Sequence, residues 1–314
     1  MDKLKNIKNL ITNTPLIEIK YRYKNKIRKA FAKCEWYSIT GSIKDKVAYQ
    51  IFKDAYTSGI LKPRDKIVEV SSGNMGLSIC AIGKLLGHKV TIIMPKSMSI
   101  ERKSLIRLYG GNLIETDNFL QAFDKCKELE QNGYFCTNQF ENISNVRAHS
   151  FMTANEILKK KQKLKSARIF VAGIGTSGTL SGIGSKLKKF LKIKVIAIEP
   201  TNARIITSPP PYGKHKLQGL SDEILPKLYN QNLVSNVIQI SDNDAIAMAQ
   251  KLCDKLSLGV GISSGANFLG CVLSNNNSIT VFPDDNKKYL STELTKPITT
   301  SLVDSIELIS VKTL

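Results

Sequence analysis

Along the chain, short unbroken runs of apolar residues alternate with longer segments in which apolar positions recur every three or four residues. "KIVEVSS" runs into a helical pattern from Met75, "HKVTIIMP" precedes "SIERKSLIRLYG", and "NLIETD" precedes "FLQAFDKCKELEQNG". Further on, "ARIFVAGIG" precedes "GTLSGIGSKLKKFL", then comes "KVIAIEP", and finally "SITVFPDD". Apolar runs of strand length without alternation point to strands covered on both faces, and the amphipathic segments between them are the crossovers that parallel strands require. The expected fold class is α/β, with parallel sheets wound by right-handed connections. Such folds gather their ligands at the carboxyl ends of the strands, in the loops leading into helices.

One such stretch is "WYSITGSIKDKVAYQ", which sets Lys44 between a Gly-Ser turn and a helical run of Val47, Ala48, Ile51, Phe52 and Ala55. Ser42 stands where an N-cap is expected, with Asp45 three residues later in the capping-box position. Lys44 then falls in the first turn, where a cation gains nothing from the helix dipole. Either it extends into water, as most lysines do, or its amine is used as a nucleophile.

Four strand-to-helix loops bear on that choice. In "EVSSGNMGLSICAIGKLLG", Ser71, Ser72, Gly73 and Asn74 open a helix whose exposed N–H groups suit an anion such as a carboxylate; an ordinary cap would look similar. "VAGIGTSGTLSGIG" packs Gly173, Gly175, Thr176, Ser177, Gly178 and Thr179 before a helix, in the composition and position of a phosphate cradle. It lacks the GKS/T of a Walker loop and a clean dinucleotide fingerprint, so a single phosphate fits best. "GVGISSGANFLG" places Ser263 and Ser264 before another helix, and "VFPDDNKKYLST" ends a strand with acidic and hydroxyl residues. An amine, an anion loop, a one-phosphate loop and a hydroxyl together point to pyridoxal 5′-phosphate.

Composition narrows the partners. In 314 residues, 42% are hydrophobic and 23% charged, ordinary for a globular protein. No run approaches the roughly 18 apolar residues of a membrane span, and "MDKLKNIKNL" has no signal-peptide core, so a cytoplasmic protein without membrane contact is expected. The six cysteines show no ligand spacing and are expected as reduced core residues, with no metal site. A net charge of +20 attracts anions, yet the lysines are scattered apart from short clusters such as "KKKQKLK", and no nucleic-acid motif accompanies them. A small-molecule substrate is expected, and no nucleic acid.

From end to end the chain resembles the cysteine synthase / cystathionine β-synthase family of fold-type II pyridoxal-phosphate enzymes, β-replacement branch. The resemblance is carried, in order, by "ITNTPLIEI", "GSIKDKVA", "SSGNMG", "MPKSMSIERKSLIRLYGGNLI", "QFEN" with Asn145, "GIGTSGTLSGIG", "IEP", "HKLQGL", "GISSGA" and "FPDDNKKYLST". It implies two doubly wound parallel-sheet domains of tryptophan-synthase-β type: a smaller movable one over residues 35–145, and a larger one formed by 1–34 and 146–314. It also implies a homodimer, and a chain that is the catalytic core alone. Lys44 would carry the cofactor as a Schiff base and later move the Cα proton. Asn74 would meet the cofactor's phenolic oxygen; Gly175, Thr176, Ser177, Gly178 and Thr179 its phosphate; and Ser263 its ring nitrogen. Ser71, Ser72, Gly73, Met75, Gln139 and Gly219 would surround the substrate. "GTSGT" differs from the tetraglycine run usual in serine and threonine dehydratases.

Three departures shape the expected reaction. The entry to the lysine is "SITGS", the substrate loop carries Met75 where the family has threonine, and "QGLSDEILP" puts Ser221, Asp222 and Glu223 where plain O-acetylserine sulfhydrylases have small residues. A carboxylate there repels hydrosulfide and can orient a water or an incoming amino acid; alternatively it only solvates a loop. The expected activity is β-elimination and β-replacement on L-cysteine or O-acetyl-L-serine through an aminoacrylate. Release of hydrogen sulfide from cysteine would give serine or a thioether, with Asp222 and Glu223 as candidate catalytic groups beside Lys44. The alternatives are plain cysteine synthesis, a dehydratase-like lyase, and a basic binding protein with an idle site.

Overall fold

The computed structural model describes residues 2–208, 213–220 and 225–314. Eleven strands among them form two sheets: β1 (Leu16–Tyr23), β2 (Lys26–Cys34), β3 (Lys66–Val70), β4 (Lys89–Pro95), β5 (Asn112–Thr116), β6 (Phe135–Cys136), β7 (Ile169–Gly173), β8 (Lys194–Pro200), β9 (Asn236–Ile240), β10 (Ser278–Phe282) and β11 (Glu307–Thr313). The larger sheet runs β11-β1-β2-β10-β7-β8-β9, and the smaller β5-β4-β3-β6. From β2 to β9 the larger sheet is parallel, and the smaller one is parallel throughout.

The parallel strands are the apolar runs of the sequence, and their side chains alternate between two cores. In the larger sheet Ile169, Val171, Ile196 and Ile198 face one cluster, while Phe170, Ala172, Val195 and Ala197 face the other. In the smaller sheet Ile67, Val90 and Ile92 face one cluster and Val68, Val70 and Ile93 the opposite one. The antiparallel edge, β11-β1-β2, lies outside the strand–helix rhythm. β1 and β2 turn back through Lys24 and Asn25, with φ of 48° and 57°, the pair of left-handed conformations that a twisted two-residue hairpin demands.

The helices are α1 (Asp2–Ile11), α2 (Lys44–Thr57), α3 (Asn74–Leu86), α4 (Ile100–Leu108), α5 (Phe119–Gln131), α6 (Ser144–Ala148), α7 (Ala154–Leu158), α8 (Gly178–Leu191), α9 (Asp242–Leu256), α10 (Ile262–Leu273) and α11 (Ser301–Asp304). α1 precedes the larger sheet's first strand in the chain. Its Ile7 and Ile11 are buried against Val47, Phe52 and Ile82, so this helix lies with the smaller sheet rather than with the larger one. Among the described residues no helix is long and apolar enough to cross a membrane. Cys34, Cys80, Cys126 and Cys271 are buried, but Cys136 is half-buried and Cys253 on α9 is exposed, so not all six are core residues.

Beneath α2 lies a set of four charges, of which Lys33, Glu35 and Lys46 are fully buried and Glu156 is partly buried. Lys46 Nζ sits 2.9 Å from Glu35 Oε1 and 2.9 Å from Glu156 Oε2, and Lys33 Nζ is 2.6 Å from the same Glu156 oxygen. Thr14 Oγ1 donates to Glu35 at 2.7 Å. Burial pushes the Lys33 amine below its usual range, opposed by Glu35 and Glu156. This cluster ties α2 to β2 and α7, and therefore fixes where the helix bearing Lys44 begins. Lys46→Ala leaves two buried carboxylates one cation short and is expected to cost about 3–5 kcal/mol. By contrast, Lys96→Ala, which breaks the exposed pair with Asp117, is expected to leave the unfolding midpoint nearly unchanged. Urea unfolding of both variants checks this; equal shifts would show that the buried cluster is not what holds α2.

Candidate active site

The loops singled out in the sequence meet in one cleft between the sheets. Lys44, Ser71, Ser72, Asn74, Met75 and Gln139 line one side, and Gly175, Thr176, Ser177, Thr179, Gly219 and Ser263 the other. Ser221, Asp222 and Glu223 lie outside the described residues. Gly73 and Gly178 work behind the wall. At φ 152° Gly73 adopts a backbone that side chains rarely take, and a Cβ there would run into Arg102; at Gly178 it would collide with Asn145 Oδ1.

Lys44 opens α2, but the expected capping box is absent. The helix N-cap is Ile43, whose N–H donates to Pro283 O at 2.8 Å, while the Ser42 hydroxyl accepts only from the Lys44 N–H, at 3.3 Å. The Asp45 carboxylate is used elsewhere. It accepts from Ser38 Oγ (2.6 Å), Thr40 N (2.8 Å), Thr40 Oγ1 (2.6 Å) and Ser78 Oγ (2.7 Å). Four donors from the loop before α2 and from α3 outcompete a local cap, because a buried carboxylate must be satisfied on all sides.

The glycine loop is shaped for close backbone approach. Ser177, the N-cap of the fourteen-residue α8, sits at φ 64° and makes no side-chain cap hydrogen bond, so the first N–H groups of the helix remain available. A Cβ at Gly175 would collide with Gly219 O. Asn145 braces the loop, donating from Nδ2 to Thr176 Oγ1 at 2.8 Å and to Gln139 O at 2.9 Å. His149 Nε2 lies 3.3 Å from Thr179 Oγ1. Burial, with Lys44 and Lys46 nearby, holds this imidazole well below its ordinary pKa, so it is neutral at pH 7. Ser263 is placed by α10, which Asn267 pins to two strand ends: its Oδ1 accepts from Gly173 N and its Nδ2 donates to Val281 O, both at 2.8 Å.

Opposite, Ser71 Oγ accepts from Gly73 N (3.0 Å) and Gly76 N (2.9 Å), closing the turn into α3. Gln139 Nε2 donates to Val70 O at 3.0 Å, and its N–H donates to Glu69 Oε2 at 3.3 Å. Glu69 also accepts from Thr137 Oγ1. Burial pushes the Glu69 carboxyl up to about 7, against these hydrogen bonds.

Two groups that the sequence reading left without a role belong to this neighbourhood: Arg102, which lines the cleft, and Asp284 just behind it. Both sit inside quoted motifs, but their partners are far away in sequence. Asn74 Oδ1, Arg102 Nε, Gln218 Oε1 and Asp284 Oδ1 are buried without a hydrogen-bond partner, a concentration that a polar ligand would relieve. With the uncapped helix start and the glycine collar, these residues fit a phosphorylated, polar-ringed group such as pyridoxal phosphate.

Comparison with known proteins agrees. The family described as "Pyridoxal-phosphate dependent enzyme" matches residues 7–283. Cysteine synthase B of Campylobacter jejuni is 40% identical over 299 residues, covering 92% of this chain and 97% of that one. Cysteine synthase of Staphylococcus aureus is 34% identical over 300 residues, with 92% and 96% covered. Among solved structures, a hydrogen sulfide-producing enzyme from Fusobacterium nucleatum superposes with a TM-score of 0.95 at 40% identity, covering 100% of this chain and 99% of that one. A variant of that enzyme with one aspartate changed to asparagine has been solved with an α-aminoacrylate intermediate.

The Glu69 site makes a prediction about pH. A carboxyl raised from 4.5 to about 7 in the folded chain binds its proton more tightly there than when unfolded. Its contribution is therefore full below about pH 4.5 and is lost as pH rises to about 7, by about 3 kcal/mol in total. Glu69→Gln removes this dependence. Between pH 5 and 8 the wild type is expected to lose stability relative to the variant; parallel denaturant midpoints across that range would contradict it.

Proposed function

Because the chain belongs to the pyridoxal-phosphate-dependent enzyme family, within its cysteine synthase branch, we propose that L-cysteine is its substrate and that it releases hydrogen sulfide, with water replacing the thiol to give L-serine. β-Elimination and β-replacement on an amino acid is the chemistry of this branch, and bound pyridoxal phosphate supplies the electron sink for it. The observation that carries the reading is the convergence in one cleft of Lys44, the Ser71–Met75 loop, the α8 glycine loop and Ser263.

In this reading the Lys44 amine takes the proton from Cα and returns it. The α8 loop, with Thr176 and Thr179, anchors the phosphate, and the Asn74 amide and the Ser263 hydroxyl hold the ring at its two polar ends. Ser71, Ser72 and Gln139 receive the substrate carboxylate, Gly73 keeps the loop's close turn, and Met75 and Gly219 shape the space for a short side chain. The neutral Ser263 hydroxyl leaves the ring nitrogen unprotonated, which favours loss of the β-substituent over wider electron delocalisation. Asp222 and Glu223 are the candidates to orient the attacking water, by position in the sequence. The related Fusobacterium hydrogen sulfide-producing enzyme has been solved with an α-aminoacrylate in an aspartate-to-asparagine variant, which supports a reaction through that intermediate. The balance is cysteine plus water to serine plus hydrogen sulfide. A second reading, cysteine synthesis from O-acetylserine, is favoured by the likeness to the Campylobacter enzyme. A dimer in the cytoplasm, as is usual for the family, completes the proposal.

Supplying cysteine, O-acetylserine with sulfide, or serine separately and identifying the products by mass decides between the readings. Hydrogen sulfide and serine from cysteine alone are expected; cysteine from O-acetylserine with no sulfide released from cysteine would favour the second reading. Lys44→Ala is expected to lower turnover at least about 10²–10⁴-fold while the cofactor phosphate still docks. Multiple turnover at the wild-type rate would remove Lys44 from its role.

A further inference from the structure

A closed chain of hydrogen bonds ties the Ser71–Met75 loop to the segment after β10. Asn74 Nδ2 and the Tyr289 hydroxyl both donate to Asp284 Oδ2, each at 2.7 Å. Arg102 Nη2 donates to that tyrosine oxygen at 3.1 Å, its guanidinium lies 5.1 Å over the Tyr289 ring, and its Nη1 donates back to Ser72 O at 3.0 Å. Asp284, Tyr289 and Arg102 are all buried, with 1%, 1% and 4% of their surface exposed. Burial, with the Asp284 charge, pushes the Tyr289 hydroxyl far above its usual range, so it stays protonated and donates.

Asp284 also touches two further segments that lead into the cleft. Its backbone bridges to Ser42, two residues before Lys44, and its carbonyl accepts from Gly261 N at 3.1 Å, two residues before Ser263. A carboxylate only accepts, so it dictates that Asn74 turns nitrogen, not oxygen, towards it. One amide hydrogen is held by Asp284, which leaves the second available on a residue that lines the cleft. Hydrogen bonds to an ionised acceptor are about twice as strong as neutral ones, and Arg102 supplies the compensating charge through Tyr289.

We propose that Asp284, backed by Tyr289 and Arg102, is a positioning residue that sets the orientation of the Asn74 amide towards the cofactor's phenolic oxygen. The proposal rests on the reading above that Asn74 meets that oxygen.

A double-mutant cycle on cofactor affinity and on the visible absorption band tests it, using Asp284→Ala, Asn74→Ala and the pair. Asp284→Ala is expected to weaken pyridoxal phosphate binding roughly 10-fold or more, the size of one lost charged hydrogen bond, and to move the visible band to the position seen in Asn74→Ala. The double variant is expected to match Asn74→Ala within about twofold, because a residue acting through another has nothing left to orient. Asp284→Asn, which keeps the shape and an acceptor, is expected to recover most of the affinity. If Asp284→Ala does not fold, the smaller loss in Asp284→Asn must likewise vanish on the Asn74→Ala background. Multiplying losses, or a wild-type band and affinity in Asp284→Ala while Asn74→Ala is impaired, would overturn the proposal alone. Unchanged affinity and band in Asn74→Ala would instead overturn the reading of Asn74 beneath it.

Discussion

The site depends on one buried carboxylate, Asp45, that is not part of the cleft's lining. Asp45 takes four hydrogen bonds from Ser38, Thr40 and Ser78, and those donors lie on the loop before α2 and on α3. A fully buried carboxylate left short of donors costs several kcal/mol, so the loop has little freedom to rearrange. Lys44 is the residue immediately before it. Its backbone is fixed by that anchor on one side and by the Ile43 to Pro283 hydrogen bond on the other. A long flexible side chain acquires a defined origin this way, which a lysine used at a single reacting atom requires.

The opposite wall uses backbone where this one uses side chains. The α8 loop offers uncapped helical N–H groups inside a collar of glycines that tolerate no Cβ, and its nearest imidazole, His149, is neutral. In the proposed reading, positive charge at the phosphate comes from peptide dipoles rather than from a lysine or arginine in the loop. The amine of Lys44 then faces no second cation held permanently by the cradle itself. The two walls belong to elements around different sheets and are joined by the Asn74–Asp284 and Asn145–Thr176 hydrogen bonds. The net charge of +20 acts at longer range, favouring approach of an anionic cofactor without specifying it.

Much of this could be read along the chain, and what escaped has a common cause. The parallel strands and their crossovers announce themselves by local periodicity, and the glycine loop by local composition. The β1–β2 hairpin was less visible because its turn, Lys24-Asn25, uses left-handed residues without a glycine to mark it. Asp45 misled because Ser42-x-x-Asp45 has the spacing of a capping box, whereas the donors that claim the carboxylate include Ser78, thirty-three positions away. Asp284 and Tyr289 reach Asn74 and Arg102 across separations of 210 and 187 residues, which no periodicity records. Asp222 and Glu223 stand out in the sequence only by departure from a family pattern, and they lie outside the described residues.

Among the described residues Lys44 is the only lysine that lines the cleft, and in the proposed reading it carries the cofactor, its backbone placed by Asp45 and by the buried charges under α2. Treating the cofactor-loaded protein with borohydride, digesting it and mapping the peptide that carries the reduced pyridoxyl group tests this directly. The account predicts a single modified peptide, with the label on Lys44 and loss of the visible band at the same stoichiometry. A label spread over surface lysines, or placed on Lys46 or Lys33, would contradict it.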